Sequence, residues 1–580
     1  MPSHPLADLI DVAAGRRPAD LVLRNGHIVN VVSNEIHDGD VAILGDRIAG
    51  IGSYNGAKVI DLKGRFICPG LIDAHVHIES SMLSVPEFAR TVAAHGTTSV
   101  VADPHEFANV MGTEGISYVL RTAKYAPINV YVMLSSCVPA SPLESAGAEL
   151  TAEDIEPFLG NPWVLGLAEM MNYPGVINAQ SDVLEKIAIC KQRVIDGHAP
   201  SLTGQPLTAY VAAGIMSDHE CITAAEAAEK LRCGLHIMIR EGSQTRNLTA
   251  LVPLVTAATA DRFMFCTDDK DVSELLSEGQ IDHMIRKSIG LGLNPILAVR
   301  LATHSTARYF GLRQLGAILP GYLADIAIME DLSACRVTEV LHRGALVAEN
   351  GRCLATAGVL EARGSLRSSV NTHWIASNDF AIKTAEGIDP SKPPMIHVIH
   401  VLENRIDTDR SIEPATICDG ELVADPLRDL AKMVVIERHR ASGEIGRAFV
   451  RGFNLKSGAI ASTVAHDAHN LIVVGMSDSD MALAAVHLVK LHGGLVVVQD
   501  GKVLADVPLP IAGLVSDQPA EVVADRLAHL ADAAKKLGCT LEQPFMALSF
   551  LSLSVIGKLK LTNQGLIDVE KFDRIPLLAG

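Results

Sequence analysis

Apolar and polar positions alternate in short runs from Ala19 to Ile67, as in ADLVLRNGHIVNV, GDVAILGDRIAGIG and AKVIDLKGRFICPG. A period of two turns one face of each run toward a core, and Asn25-Gly26 and Gly45-Asp46 supply turns between runs. This predicts a small antiparallel β unit. The pattern changes after Pro69. From Leu71 to about Tyr309, apolar runs alternate with stretches of helical period. Strands are predicted at LIDAHVH, TTSVVAD, INVYVML, WVLGLAEM, LTAYVAA (from Leu207), LHIMIR and RFMFCTDD. Helices are predicted at VPEFARTVAAHG, DVLEKIAICKQRVIDG and TAAEAAEKLRCG. Repeated strand-then-helix implies a parallel sheet with right-handed crossovers, and the length suits a (β/α)8 barrel.

Two later runs, GAILPGYLADIAIMEDL and EVLHRGALVAENGR, repeat the style of the first β unit and are expected to join it in one sheet. Leu354 to Ala376, rich in Ala, Gly and Ser, reads as a connector. Beyond it lie strand patterns (MIHVIHVL, LIVVGMS, GLVVVQDG) and helix patterns (DMALAAVHLVKLHG, AEVVADRLAHLADAAKKLG). The expected fold class is α/β: a TIM-type barrel with a discontinuous small β domain and a C-terminal α/β domain. The expected division is residues 1-68 plus 312-360 for the β domain, 69-311 for a metal-dependent barrel and 361-580 for the C-terminal domain.

Composition narrows the class. The 580 residues are 48% hydrophobic and 20% charged, which excludes a mainly disordered chain. With 49 Lys and Arg against 67 Asp and Glu, the net charge of −18 disfavours a nucleic-acid partner. The longest apolar run, Phe545 to Ile556, is short and broken by Ser549, Ser552 and Ser554, so no membrane span is expected. The N-terminus does not read as a secretory signal. Ten cysteines with no C-x-x-C pair fit reduced thiols in a cytoplasmic enzyme.

The strongest chemical signal is PGLIDAHVH. His75 and His77 are two apart on a strand, hence on one face, about 7 Å apart along the chain. At the end of the first barrel strand, such a pair can bind one divalent metal, because barrels place their sites at strand C-termini. Further candidate ligands follow in order: Glu169 ending WVLGLAEM, His198 in VIDGHAP, His219 in GIMSDHE and Asp268 in FMFCTDD. Nitrogen and oxygen ligands of this kind suit Mn, Fe or Zn.

PGLIDAHVHIESSML, the GHAP, the SDHE and the CTDD resemble the amidohydrolase superfamily. VADPHEFANVMG, GLAEMMNYPGV, GLVVVQDG, ASTVAHDAHNLIVVG and LKLTNQGLIDV are similar, more narrowly, to bacterial-type adenine deaminases, over nearly the whole chain. The resemblance implies a binuclear centre of two divalent ions, manganese or iron favoured and zinc an option. It places His75, His77, Glu169 and Asp268 around one ion and Glu169, His198 and His219 around the other, with Glu169 as bridge. It implies hydrolytic deamination of adenine to hypoxanthine and ammonia, by attack of a metal-bridging hydroxide at C6. Asp268 is the candidate proton shuttle. Glu220 and Glu106 are both candidates for protonating a ring nitrogen, and the sequence does not choose between them.

Asp103 in VVADPHEF is expected either to orient a ligand or ammonia-side proton near the metals, or to start a helix; His105 shares that ambiguity. The AHDAHN segment, with His466 and His469, is expected to pack at the barrel mouth and help close over substrate. A separate metal site there is disfavoured, because those histidines lack strand-end partners. The expected partner is a small purine base, with no nucleic acid and no membrane, and the expected assembly is a homo-oligomer, a dimer. The competing reading within the superfamily is a binuclear cyclic-amide or N-acyl amide hydrolase, with the C-terminal region favouring the deaminase. A cytidine-deaminase type is disfavoured by the lack of P-C-x-x-C. A non-catalytic scaffold would be expected to have lost ligands, and all six positions are filled.

Overall fold

The structure is a computed structural model that describes residues 6–356, 364–384, 392–403 and 405–579. The expected domain boundary at residue 360 and part of the 354–376 connector lie outside the described residues. A helix not foreseen from the sequence, Leu6–Ala13, precedes the first strands. Those strands are β1 (Ala19–Asn30), β2 (Glu35–Leu44), β3 (Arg47–Ile51), β4 (Gly56–Asp61) and β5 (Phe66–Pro69). The β1–β2–β3 meander is antiparallel, but β1 pairs in parallel with both β4 and β5, so the unit is not purely antiparallel.

Eight shorter parallel strands follow: β6 (Leu71–Val76), β7 (Thr97–Ala102), β8 (Asn129–Leu134), β9 (Val164–Met170), β10 (Val194–Gly197), β11 (Ser217–Asp218), β12 (His236–Arg240) and β13 (Phe263–Cys266). They form a five-stranded parallel sheet, β6 to β10, and a three-stranded one, β11 to β13. The two curl toward each other. Met216 N–H donates to the Ile195 carbonyl at 2.9 Å, and at the other side a parallel bridge joins Val76 to Asp268. One apolar layer takes Ala74, Val101, Met133, Ala168, Val194, Met238 and Met264 from β6, β7, β8, β9, β10, β12 and β13. A filled interior is what a curled parallel sheet requires.

Two expectations need correction. LTAYVAA is not a strand; all but its last residue lies in the helix Gly204–Ala212, whose buried Leu207 and Tyr210 are three apart, the spacing of a helix face. The strand is VIDG; the helix expected over DVLEKIAICKQRVIDG ends at Ile189 instead.

Four antiparallel strands, β14 (Ile326–Asp331), β15 (Arg336–His342), β16 (Ala345–Glu349) and β17 (Arg352–Cys353), extend the N-terminal sheet through β14 against β5, giving nine strands. The C-terminal region is built on an eight-stranded sheet, antiparallel except where Met395–Val401 runs parallel to Ile445–Arg451. Both faces of its central strands are covered, which is why LIVVG and GLVVVQ are continuously apolar. Val434, Val473 and Val496 pack with Met481 and Ala484 of the helix Asp478–Lys490. Met433, Val474 and Val497 join Leu530 and Ala534 of the helix Ala520–Lys536 in a cluster that continues into Val76, Phe88 and Ala102. One core thus runs from the C-terminal sheet to the strands that carry the histidines. Among the described residues, no helix is long and apolar enough to cross a membrane.

Candidate active site

All six expected ligands converge at the C-terminal ends of the parallel strands. His75 is in the last pair of β6 residues and His77 just follows them, Glu169 is the next-to-last residue of β9, and His198, His219 and Asp268 follow β10, β11 and β13. Glu169 is the centre. Its Oε1 lies 3.2 Å from His77 Nε2 and 3.7 Å from His75 Nε2. Its Oε2 lies 2.6 Å from His198 Nδ1 and 3.2 Å from His219 Nε2. One carboxylate therefore divides its oxygens between two pairs of imidazoles. Asp268 Oδ1 joins the first pair, 3.4 Å from His75 Nε2 and 3.0 Å from His77 Nε2. Asp268 itself adopts φ 57°, in the left-handed region, where Asp is one of the tolerated non-glycine residues.

The donor set fits divalent metal. His75 and His77 bring their Nε2 atoms to 3.2 Å of each other, so both rings aim a nitrogen at the same point beside Glu169 and Asp268. His77 Nδ1 is 3.1 Å from the Asp103 carbonyl, which can only accept, so Nδ1 carries the proton and the Nε2 lone pair faces the cluster. Except for the partly open His198, the six side chains are buried. Lys230, fully buried, donates to the Ala199 carbonyl, Asp218 and Glu226 at 2.6, 3.0 and 2.7 Å. It thereby fixes the residues next to His198 and His219.

The second group of expected site residues divides. Asp103 does not cap a helix; its Oδ2 holds His105 Nδ1 at 3.1 Å and its Oδ1 accepts from Ser135. His105 Nδ1 is also 3.5 Å from Glu169 Oε1, and its Nε2 is 3.4 Å from Glu106 Oε1. Glu220 gives both carboxylate oxygens to Arg240, at 2.5 and 3.0 Å, and burial, which works against its charge, is outweighed so that its carboxyl titrates below the ordinary range. Arg240 is not among the residues the sequence singles out, although LHIMIR ends a parallel strand with it. It also donates to Asp268 Oδ2.

Among the described residues, His466 and His469 meet no strand-end acid, but they share a helical one. Both reach Glu106, His466 Nδ1 at 2.5 Å from Oε1 and His469 Nε2 against Oε2. Ala465 N–H donates to His469 Nδ1 at 3.1 Å, so the proton of that ring sits on Nε2 and points at Glu106. Nε2 then has no lone pair for a metal, and the trio is a hydrogen-bonded carboxylate. Burial pushes His469 down to about 4, whereas for His466 burial is outweighed by Glu106 and the ring is raised to about 9. His466 also stacks on Phe550 with centroids 4.5 Å apart. Arg438, fully buried, donates to the carbonyls of His469, Ala512, Thr463 and Ser369 and holds the loop from within. A cavity of about 1020 Å³ opens beside His198, lined among others by Ser136, Glu144, Met171, Asn172 and Lys186.

Two family models match the chain: the amidohydrolase family over residues 66–347 and the adenine deaminase C-terminal domain over residues 405–573. An adenine deaminase of Dehalococcoides mccartyi strain 195 is 48% identical over 572 residues, 98% of this chain and 99% of that one. One from Desulfatibacillum aliphaticivorans is 47% identical, with 98% and 99% covered. One from Cereibacter sphaeroides is 46% identical, again with 98% and 99% covered.

Proposed function

The chain belongs to the adenine deaminase family of the amidohydrolases; it is a hydrolase that converts adenine to hypoxanthine and ammonia, and we propose that the residues gathered around Glu169 carry that reaction. The family also implies divalent metal. The observation that supports two ions is the division of Glu169, one oxygen toward His75 and His77 and the other toward His198 and His219. His75, His77, Glu169 and Asp268 would hold one ion and Glu169, His198 and His219 the other. Manganese or iron is our first choice and zinc the second, since the ligands are nitrogen and oxygen with no thiolate. When bound, such a pair lowers the pKa of water toward neutrality and so supplies a nucleophile.

The chain's own residues do the rest. Asp268 offers a carboxylate at the strand end where the nucleophile must sit, and can take a proton there and pass it to the departing 6-amino group, which must leave as ammonia. Arg240 holds Asp268 through Oδ2, leaving Oδ1 on the histidine side. Asp103 orients His77 through its carbonyl and His105 through its carboxylate. Glu106 is held by His466 and His469, so the C-terminal loop is tied to the residues beside Glu169. We take the eight parallel strands to close as a (β/α)8 barrel. The domain division is residues 1-68 plus 312-360, 69-311 and 361-580.

The competing cyclic-amide or N-acyl amide hydrolase is disfavoured by the C-terminal domain match. The test is ammonia release from adenine, adenosine, guanine and cytosine, with Mn²⁺ or Fe²⁺ supplied under reducing conditions. Release from adenine alone is expected; release only from amide substrates would overturn the reading.

A further inference from the structure

Neither Glu220 nor Glu106, the candidates for protonating the purine ring, nor the neighbouring Asp103 has a carboxylate oxygen without a partner. Glu220 spends both on Arg240, Glu106 spends one on His466 and one on His469, and Asp103 spends one on His105 and one on Ser135. Asp467 differs. It sits between His466 and Ala468, is 5% exposed, and its Oδ2 has no hydrogen-bond partner. A buried carboxylate oxygen is costly in that state unless a ligand supplies the partner. Asp196 is the other acid with such an oxygen among the described residues, but it lies on β10, with Ser217 and Tyr309 holding its second oxygen.

The position of Asp467 is defined from two sides. A chain of contacts runs from Glu169 to His105 (3.5 Å), from His105 to Glu106 (3.4 Å) and from Glu106 to His466 (2.5 Å). Asp467 is the next residue. The charged groups around its carboxyl are His105, Glu106, His466 and Glu169, and it acts in turn on Glu144. Glu144 lines the cavity that reaches His198. Asp467 therefore follows directly on the His466–Glu106 contact, within electrostatic reach of both Glu169 and the cavity-lining Glu144.

We propose that Asp467 contacts the substrate, its free Oδ2 hydrogen-bonding a ring nitrogen of the purine, so that the C-terminal loop completes the base-binding site. This rests on the adenine reading above. Burial raises the Asp467 carboxyl to about 6, which eases the approach of an uncharged base. A carboxyl that can be protonated or ionised can serve an unprotonated ring nitrogen as donor or a ring N–H as acceptor.

The test compares the metal-loaded wild type with Asp467→Asn and Asp467→Ala. We expect kcat/KM for adenine to fall by about 10²-fold or more, with metal content and thermal midpoint held, and hypoxanthine binding to weaken in parallel. A kcat/KM within about threefold of wild type, less than the loss of one hydrogen bond to a charged group, would overturn the assignment. Should the variants fail to fold, a structure of the wild-type holoenzyme with hypoxanthine decides. A ring nitrogen within hydrogen-bond distance of Asp467 supports the proposal, and a ring bound elsewhere rejects it. Wild-type turnover of adenine is measured in the same series. A failed parent reading therefore shows in the wild type, and a failed assignment of Asp467 only in the variants or the complex.

Discussion

Arg240 Nη1 lies 2.5 Å from Asp268 Oδ2, while the same guanidinium grips Glu220. All three groups are buried. Two carboxylates at one strand end would repel each other without this cation, and burial would push both toward the neutral acid. Arg240→Met should therefore cost about 3–5 kcal/mol of stability, the usual result of unpairing buried charge. It should also reduce adenine turnover by at least about 100-fold, because Asp268 loses both its orientation and its readiness to ionise. Arg240→Lys should not restore activity, since an ammonium cannot serve both carboxylates in a planar fork. Thermal denaturation and ammonia release on the same samples check both parts.

The proton transfer proposed for Asp268 can be separated from its ion pair with Arg240. Asp268→Asn keeps the shape of the side chain but cannot accept a proton. We expect turnover to fall by about 10²–10⁴-fold with the fold intact, as judged by circular dichroism. Near-normal ammonia release would reject Asp268 as the proton carrier.

Glu169 and the five residues gathered around it were legible because each lies at or just past the end of a strand, and those strand ends converge. LIDAHVH and FMFCTDD announce themselves by apolar runs that stop at a polar pair. VIDG was hidden because its strand has four residues, Val194–Gly197, too few to show a period of its own. The β11 strand is only Ser217–Asp218. Arg240 is a cation at a position scanned for ligands, and its meaning depends on acids 20 and 28 residues away. The bond between Glu106 and His466 spans 360 residues, beyond the reach of any local pattern. Only the resemblance of AHDAHN to a deaminase segment placed that loop near the mouth.

Metal removal separates the site from the scaffold. A chelator should abolish ammonia release while leaving the far-UV circular dichroism unchanged, since the apolar core joins the two regions without metal. Mn²⁺ or Fe²⁺ should restore activity at about two ions per chain, as expected of a bridged pair. In Glu169→Gln the bridge loses its charge, and metal analysis should find about one ion or fewer per chain. Full occupancy and full activity in that variant would remove Glu169 from the centre of the site.

The link between Glu106 and His466 predicts a pH dependence of stability. His466 is raised from its ordinary value near 6.5 to about 9 in the folded chain, burial being outweighed by Glu106. A group raised on folding binds its proton more tightly in the native state, so its contribution is complete below about pH 6.5 and is lost as pH rises through about 9. The shift of about 2.5 units sets the scale at about 3 kcal/mol at most. In Glu106→Gln the cause of the shift is gone, and His466 should titrate at or below its ordinary range. The stability advantage of wild type over Glu106→Gln should thus be largest near pH 6 and shrink steadily toward pH 9.5. Urea denaturation across that range measures it directly. A gap that stays constant would show that His466 is uncharged in the native state, and that Glu106 is held by hydrogen bonds alone.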